Sequence, residues 1–142
     1  MMFDRLIERI TRRAPSPQEE SSELQLASAF VLVACMSVDY RYRPEETRAV
    51  ADGLHALFGF DRKRCNRLIA RALAARAHDA SIFTSALMVA KLGSHDFKQR
   101  FLETVRQVAN ADGELHDYEK DLLDRLNSIL NRSDESKLRA AA

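Results

Sequence analysis

The residues best suited to chemistry are acids in, or just after, two segments that are predicted to connect helices. The first connection contains Asp39 and is followed by Glu46. The second contains Asp112 and Glu114 and is followed by Glu119. Oxygen ligands of this kind suit Ca²⁺, Mg²⁺ or Mn²⁺ better than zinc or copper. If the connections converge in space, the acids repel one another unless a cation or an arginine neutralises them. The pattern therefore predicts these five acids as ligands of a divalent cation.

The same acids have a structural interpretation. Glu119 lies three residues after His116, and Glu46 lies three residues after Arg43. A glutamate at the third position of a helix can accept a hydrogen bond from a free backbone N–H at the helix start. An acid in the first turn also interacts favourably with the helix dipole. The acids therefore indicate either a cation site or two stabilised helix starts.

The second connection is not an EF-hand. Residues 112–119 match the last eight positions of such a calcium loop, but its first ligand position is Val108, which cannot coordinate a cation. In the first connection Tyr40 and Arg41 replace the glycine and the second acid. Two equivalent cation sites are therefore not expected, and Arg41 is itself a candidate counter-ion for the acids.

Catalytic groups are not recognisable in the chain, which predicts a protein that is not an enzyme. It has no glycine-rich phosphate loop, nucleophile elbow or Cys-x-x-Cys pair. Cys35 and Cys65 are expected to be buried free thiols of a protein in a reducing, cytoplasmic compartment. No apolar run in the sequence is long enough to span a membrane. The four histidines lack zinc-ligand spacing: His55, His78, His95 and His116.

Apolar periodicity predicts an all-α fold, a compact bundle of about seven helices. The chain of 142 residues has only four Gly and three Pro, which argues against many strands. The stretch Leu26–Val38 is apolar nearly all round and therefore predicts a central helix. Gly59 is expected to end one helix, and Asp61 and Ser94 to cap the next ones. The predicted helices are 2–13, 21–38, 44–58, 62–77, 80–92, 95–111 and 117–130.

The two acidic connections belong to an internal repeat. A shift of 73 residues takes Leu32 to Val105 and Leu57 to Leu130 and keeps the acids in register without a gap. Two copies of a helix-connection-helix unit are expected to pack on each other, because neither copy can bury its apolar face alone.

The run Val108–Leu115 resembles the "ADGE" signature of the TerB-like (tellurite-resistance protein B) family, and the following His116–Glu119 is similar to its "H-x-Y-E" continuation. The resemblance covers roughly residues 22–132. It implies an all-helical fold of about seven helices with an internal duplication. It also implies a suggested link between the acids and metal, an association with tellurite resistance and the stress response, and action through binding.

The sequence divides into three predicted segments: an N-terminal amphipathic helix with its linker (1–20), a TerB-like helical domain (21–132) and a C-terminal tail (133–142). One side of the first segment is apolar and the other carries arginines. It is expected to pack on the bundle or to be tethered loosely through its Pro-rich linker, and a membrane surface is the alternative. The apolar side holds Phe3, Leu6, Ile7 and Ile10.

The helix from Arg62 to Arg76 contains six cations and no acid, although the net charge of the chain is only +1. The structural interpretation is that these cations form a solvated surface of the helix. The functional interpretation is that Arg64, Arg67 and Arg71 bind an anionic partner, either an acidic protein or a membrane or nucleic-acid surface. We expect a protein partner, which the sequence does not identify. The sequence is also compatible with a homodimer.

Overall fold

The protein is seen here in a computed structural model, which describes residues 21–36, 44–77, 82–111 and 120–131. Within these ranges the chain is helical and contains no strand, which confirms the all-α prediction. Six helices are described rather than the predicted seven, because the predicted helix 2–13 lies outside the described residues. They are α1 (Ser22–Ala34), α2 (Pro44–Phe58), α3 (Arg62–Ala77), α4 (Ile82–Leu92), α5 (His95–Ala109) and α6 (residues 120–131).

Local signals place most of the helix ends as predicted. Gly59 follows α2 with a φ of 73°, a conformation that glycine adopts without strain. Asp61 Oδ1 accepts a 2.8 Å hydrogen bond from the N–H of Arg64, and Ser94 Oγ accepts one of 3.1 Å from the N–H of Phe97. The start of α1 differs, because the side chain of Ser21 makes no capping hydrogen bond.

The central helix was predicted to extend to Val38, but α1 ends at Ala34. The N–H of Met36 donates to the carbonyl of Val33 at 3.1 Å, so the chain tightens into an i→i−3 turn. Its central position is confirmed, since α1 packs against α2, α3, α4 and α5. Every residue from Ala27 to Val33 is buried, which requires neighbours on all sides.

The repeat is confirmed by the helices that it predicts. The starts of α1 and α5, Ser22 and His95, are 73 positions apart, and so are the last described residues of α2 and α6. Leu32 and Val105 occupy equivalent positions, and both are fully buried. The two copies contact each other through α2 and α5, and α1 also contacts α5.

Helices α2 and α5 run antiparallel. Near their middles, Gly53 lies beside Thr104, and at one end the Phe58 ring centroid is 5.5 Å from that of Phe97. The residue numbers fall on one helix as they rise on the other, which defines the direction. The opposite end of the pair therefore holds the first turn of α2 and the last turn of α5.

The outer face of α4 leaves large apolar side chains exposed. Phe83 is 36% exposed, Leu87 59% and Met88 38%. The inner face carries Ala86 and Val89, which are buried, and α4 packs closely on α1. The described bundle therefore covers only one side of this helix.

Both cysteines are buried free thiols, as predicted. Cys65 Sγ lies 3.7 Å from the carbonyl oxygen of Phe60. Burial raises the pKa of the Cys65 thiol, and the carboxylates of Asp61 and Asp52 raise it further. A raised pKa keeps the thiol protonated at neutral pH, so Cys65 serves as a core residue rather than a nucleophile.

Candidate functional site

Glu46 is the one predicted cation ligand that the structure describes. It lies at the third position of α2, as predicted, because the helix begins at Pro44. The residue is only 4% exposed, although it is acidic and near a helix start. A carboxylate is strongly destabilising in such a place unless it is partnered, and Glu46 does take part in a polar interaction. Four predicted ligands lie outside the described residues: Asp39, Asp112, Glu114 and Glu119.

The direction of the α2–α5 pair determines what lies near Glu46. The first turn of α2 is at the same end of the pair as the last turn of α5. The described chain continues from that turn to Ala111, and Asp112 is the next residue in the sequence. The described chain after α5, which ends at Ala111, therefore lies at the end of the bundle where Glu46 is buried. Within the described ranges, no three His, Cys, Asp or Glu side chains are grouped so that they could hold a metal ion.

A second candidate site is the basic face of α3. Its opposite face carries Cys65, Leu68, Ile69 and Ala72, all buried. Because α3 packs this apolar side against α1, the charged side chains point outward. We define the α3 basic face as the five exposed cations Arg62, Lys63, Arg64, Arg67 and Arg71.

None of these five cations forms an ion pair with another described residue. The ion pairs between described side chains lie elsewhere, for example Arg100 with Asp96 at 3.2 Å. The guanidinium carbon of Arg64 lies 4.0 Å from the centroid of the Phe60 ring, which orients this side chain without neutralising it. The positive charge of the face is therefore available to a partner.

A groove of about 330 Å³ between α5 and α6 was not predicted from the sequence. Leu102 and Leu123 contribute apolar lining, Arg106 and Lys120 positive charge, and Asp124 negative charge. No short motif could reveal it, because two helices supply the lining. The opposite charges do not select an anionic or a cationic ligand, so the groove indicates no particular function.

No helix among the described residues is both long and apolar enough to cross a membrane. Of the four histidines, His55 and His95 are exposed, whereas His78 and His116 lie outside the described residues. His55 Nδ1 lies 2.8 Å from the carbonyl oxygen of Phe60, so this ring takes part in the turn after α2.

Comparison with known proteins identifies the family. No curated protein and no solved structure matches the chain significantly. The model of the family described as "Tellurite resistance protein TerB" matches residues 25–142, which include all the described helices except the first turn of α1. The match covers most of the chain and agrees with the all-helical fold, so this protein belongs to the TerB family.

Proposed function

We propose that this TerB-family protein is a cytoplasmic module that acts through binding rather than catalysis, and that its α3 basic face binds an acidic protein. The observation that carries the proposal is the set of five exposed cations on one helix that contains no acid. Positive charges concentrated in this way raise the association rate of a negatively charged partner and favour one orientation of docking.

The surroundings of the face favour an acidic protein over a nucleic acid or a membrane. Among the α3 side chains that the structure describes, the other exposed ones are Asn66, Ala70 and Ala74. None has an aromatic ring on which a base could stack, or a large apolar side chain to enter a lipid layer. The Phe60 ring beneath Arg64 is buried. Electrostatic attraction without stacking or insertion suits a carboxylate-rich protein surface.

Changing Arg64, Arg67 and Arg71 together to Gln is expected to weaken binding of an acidic polypeptide at least tenfold, or about 1.4 kcal/mol. The three residues are spaced i, i+3 and i+7, so they lie on one broad face of α3. Binding of fluorescent polyglutamate to the full chain at low salt is the measurement. The wild-type affinity should fall as ionic strength rises, because exposed charges are screened.

A matched control removes three exposed cations from other helices: Arg48→Gln, Lys91→Gln and Lys120→Gln. It has the same net charge as the α3 variant and should retain most of the affinity. Equal losses in the two variants, or no wild-type binding at low salt, would contradict the proposal. Stronger binding of duplex DNA or phosphatidylserine vesicles would assign the face to another class of partner. Complementing a deletion strain with both variants on tellurite medium tests whether the face serves the role that the family name suggests.

A second role concerns the acidic connections. We propose that they mainly stabilise the helix starts and bind Ca²⁺, Mg²⁺ or Mn²⁺ only weakly. The supporting observation is that Glu46, already in the third helical position, is buried and takes part in an interaction. A buried carboxylate is less accessible to a cation from solvent, whereas it can stabilise its helix without one.

Glu46→Gln is therefore expected to change the melting temperature little, since the amide oxygen can still accept a hydrogen bond. Glu46→Ala should lower the free energy of unfolding by about 0.5–2 kcal/mol, the range for a lost helix cap. The neighbouring Glu45, which is exposed, provides the control, and its change to Ala should cost less. Thermal melting followed by circular dichroism measures all three variants.

If the acids instead form a cation site, the melting temperature should depend on added cations and on the Gln variants. Each melt is repeated with EDTA and with millimolar Ca²⁺, Mg²⁺ or Mn²⁺, and Glu119→Gln is added to the series. Ligand binding to the folded state alone raises the melting temperature. A large cation-dependent rise in the wild type that either Gln variant removes would show that the connections hold a metal and would overturn the capping proposal.

A further inference from the structure

The outer face of α4 is the largest apolar feature that the described bundle leaves uncovered. Phe83, Leu87 and Met88 are the exposed large hydrophobic side chains of the described chain, and all three lie on this helix. Phe83 and Leu87 are one turn apart on one side of α4, and Met88 lies about 100° further round the helix, so the three side chains form a broad apolar strip on its outer face. We infer that the chain's own N-terminal segment, residues 3–10, docks on this strip.

The sequence of that segment matches the strip in chemistry. Phe3, Leu6, Ile7 and Ile10 recur with the spacing of one helical face. An amphipathic helix of this kind lays its apolar side on an apolar surface and keeps its charges in water. The segment precedes the region that matches the TerB family, which begins at residue 25. It is therefore an addition to the matched module rather than part of its core.

The linker is long enough for this docking. The seven residues 14–20 join the predicted helix 2–13 to Ser21, where the described chain begins. A stretch of that length spans roughly 25 Å when extended. A helix on the outer face of α4 lies two helix spacings from α1, which is about 20 Å. The linker therefore reaches most of the length of α4, whose 11 residues span about 16 Å.

The size of the strip favours a tethered occupant over a second copy of the chain. A stable complex between separate proteins buries about 800 Å² per partner. Three side chains that are each about half exposed offer much less apolar area than that. A segment joined to the bundle by a short linker has an effective concentration in the millimolar range, so a small contact suffices.

A tryptophan placed in the strip tests this inference, because the chain contains none. In the full-length variant Phe83→Trp, the emission maximum should be that of a shielded indole. Adding Ile7→Asp should shift it to the red, to the position of an indole in water. Adding Arg5→Asp, on the opposite side of the segment, should leave the emission unchanged. The partial exposure of Phe83 makes the tryptophan tolerable without disturbing the core.

Two outcomes overturn the inference. An emission maximum of a water-exposed indole in Phe83→Trp alone would show that nothing covers the strip. A shielded emission that survives Ile7→Asp and disappears on dilution would show that a second copy covers it instead. Light scattering on the same samples gives the molar mass, which should be that of a monomer for every variant.

Discussion

Lys98→Glu is expected to be the most destabilising exchange of a single charge, at a cost of about 3–5 kcal/mol. Lys98 lies in the first half of α5 and is fully buried, unlike any other lysine or arginine whose side chain is described. Its Nζ donates a 3.4 Å hydrogen bond to the carbonyl oxygen of Ala90. That carbonyl belongs to the last turn of α4, which ends at Leu92.

The physical reason is the polarity of a helix end. The last four carbonyls of a helix lack partners within the helix, and together they carry a partial negative charge. A buried ammonium group satisfies one of them and opposes that charge. A glutamate would bring a second negative charge to the same place without a proton to donate. Lys98→Met keeps the length of the side chain and adds no charge but removes the donor to the Ala90 carbonyl, so it should cost about 1–3 kcal/mol, less than the glutamate.

Urea unfolding followed by circular dichroism measures these differences. Lys91→Glu is the matched control, because Lys91 lies in the same last turn of α4 but is exposed. Its change should cost at most about 1 kcal/mol, the size of an exposed interaction with a helix dipole. Equal costs for the two glutamate variants would show that burial of the Lys98 ammonium group does not matter.

Gly53→Ala should destabilise the protein by about 1–3 kcal/mol, although alanine is the better helix former. Gly53 is inside α2, where it faces α5. A Cβ atom at this position would overlap Cγ2 of Thr104. The next atom, Leu32 Cδ1, is at an ordinary contact distance of 3.8 Å. The close approach of the two repeats at this point therefore depends on the absence of a side chain at Gly53.

The same substitution should become stabilising when Thr104 is first changed to Ser. Serine removes the methyl group but can keep the hydrogen bond that Thr104 Oγ1 donates to the carbonyl of Arg100 at 2.9 Å. The helix propensity of alanine, worth up to about 1 kcal/mol over glycine, then remains. A double-mutant cycle of unfolding free energies measures the coupling. If the effects of the two substitutions simply add, the proposed contact does not limit the approach of the helices.

Where the helices begin and end was largely predictable from the sequence. Pro44, Gly59, Asp61 and Ser94 act within a few residues of their own positions, so their effects can be read without the fold. The central position of α1 was also predictable, because a helix that is apolar on all sides must be surrounded. The repeat placed Leu32 and Val105 in equivalent positions, and both are buried in the structure.

The candidate sites were predictable only in part. Arginines 64, 67 and 71 were expected on one face, and the structure shows that face exposed, since the apolar side of α3 packs on α1. The burial of Glu46 was not predicted, because its position in the helix does not say which helix lies beside it. The acidic connection at 112–119 lies outside the described residues, so its cation site stays a prediction.

The sequence by itself determined the helical class, most helix ends, the duplication and the charged face of α3, because these depend on local conformation and periodicity. Only the tertiary structure decided which helix faces are covered by other helices. Lys98 lies three and four residues before Phe101 and Leu102, a spacing that places it on the buried face, yet the carbonyl that accepts its proton comes from α4. The apolar outer face of α4 and the approach of Thr104 to Gly53 are likewise properties of neighbouring helices. Periodicity assigns a residue to a face, but the element packed against that face is chosen by the whole fold.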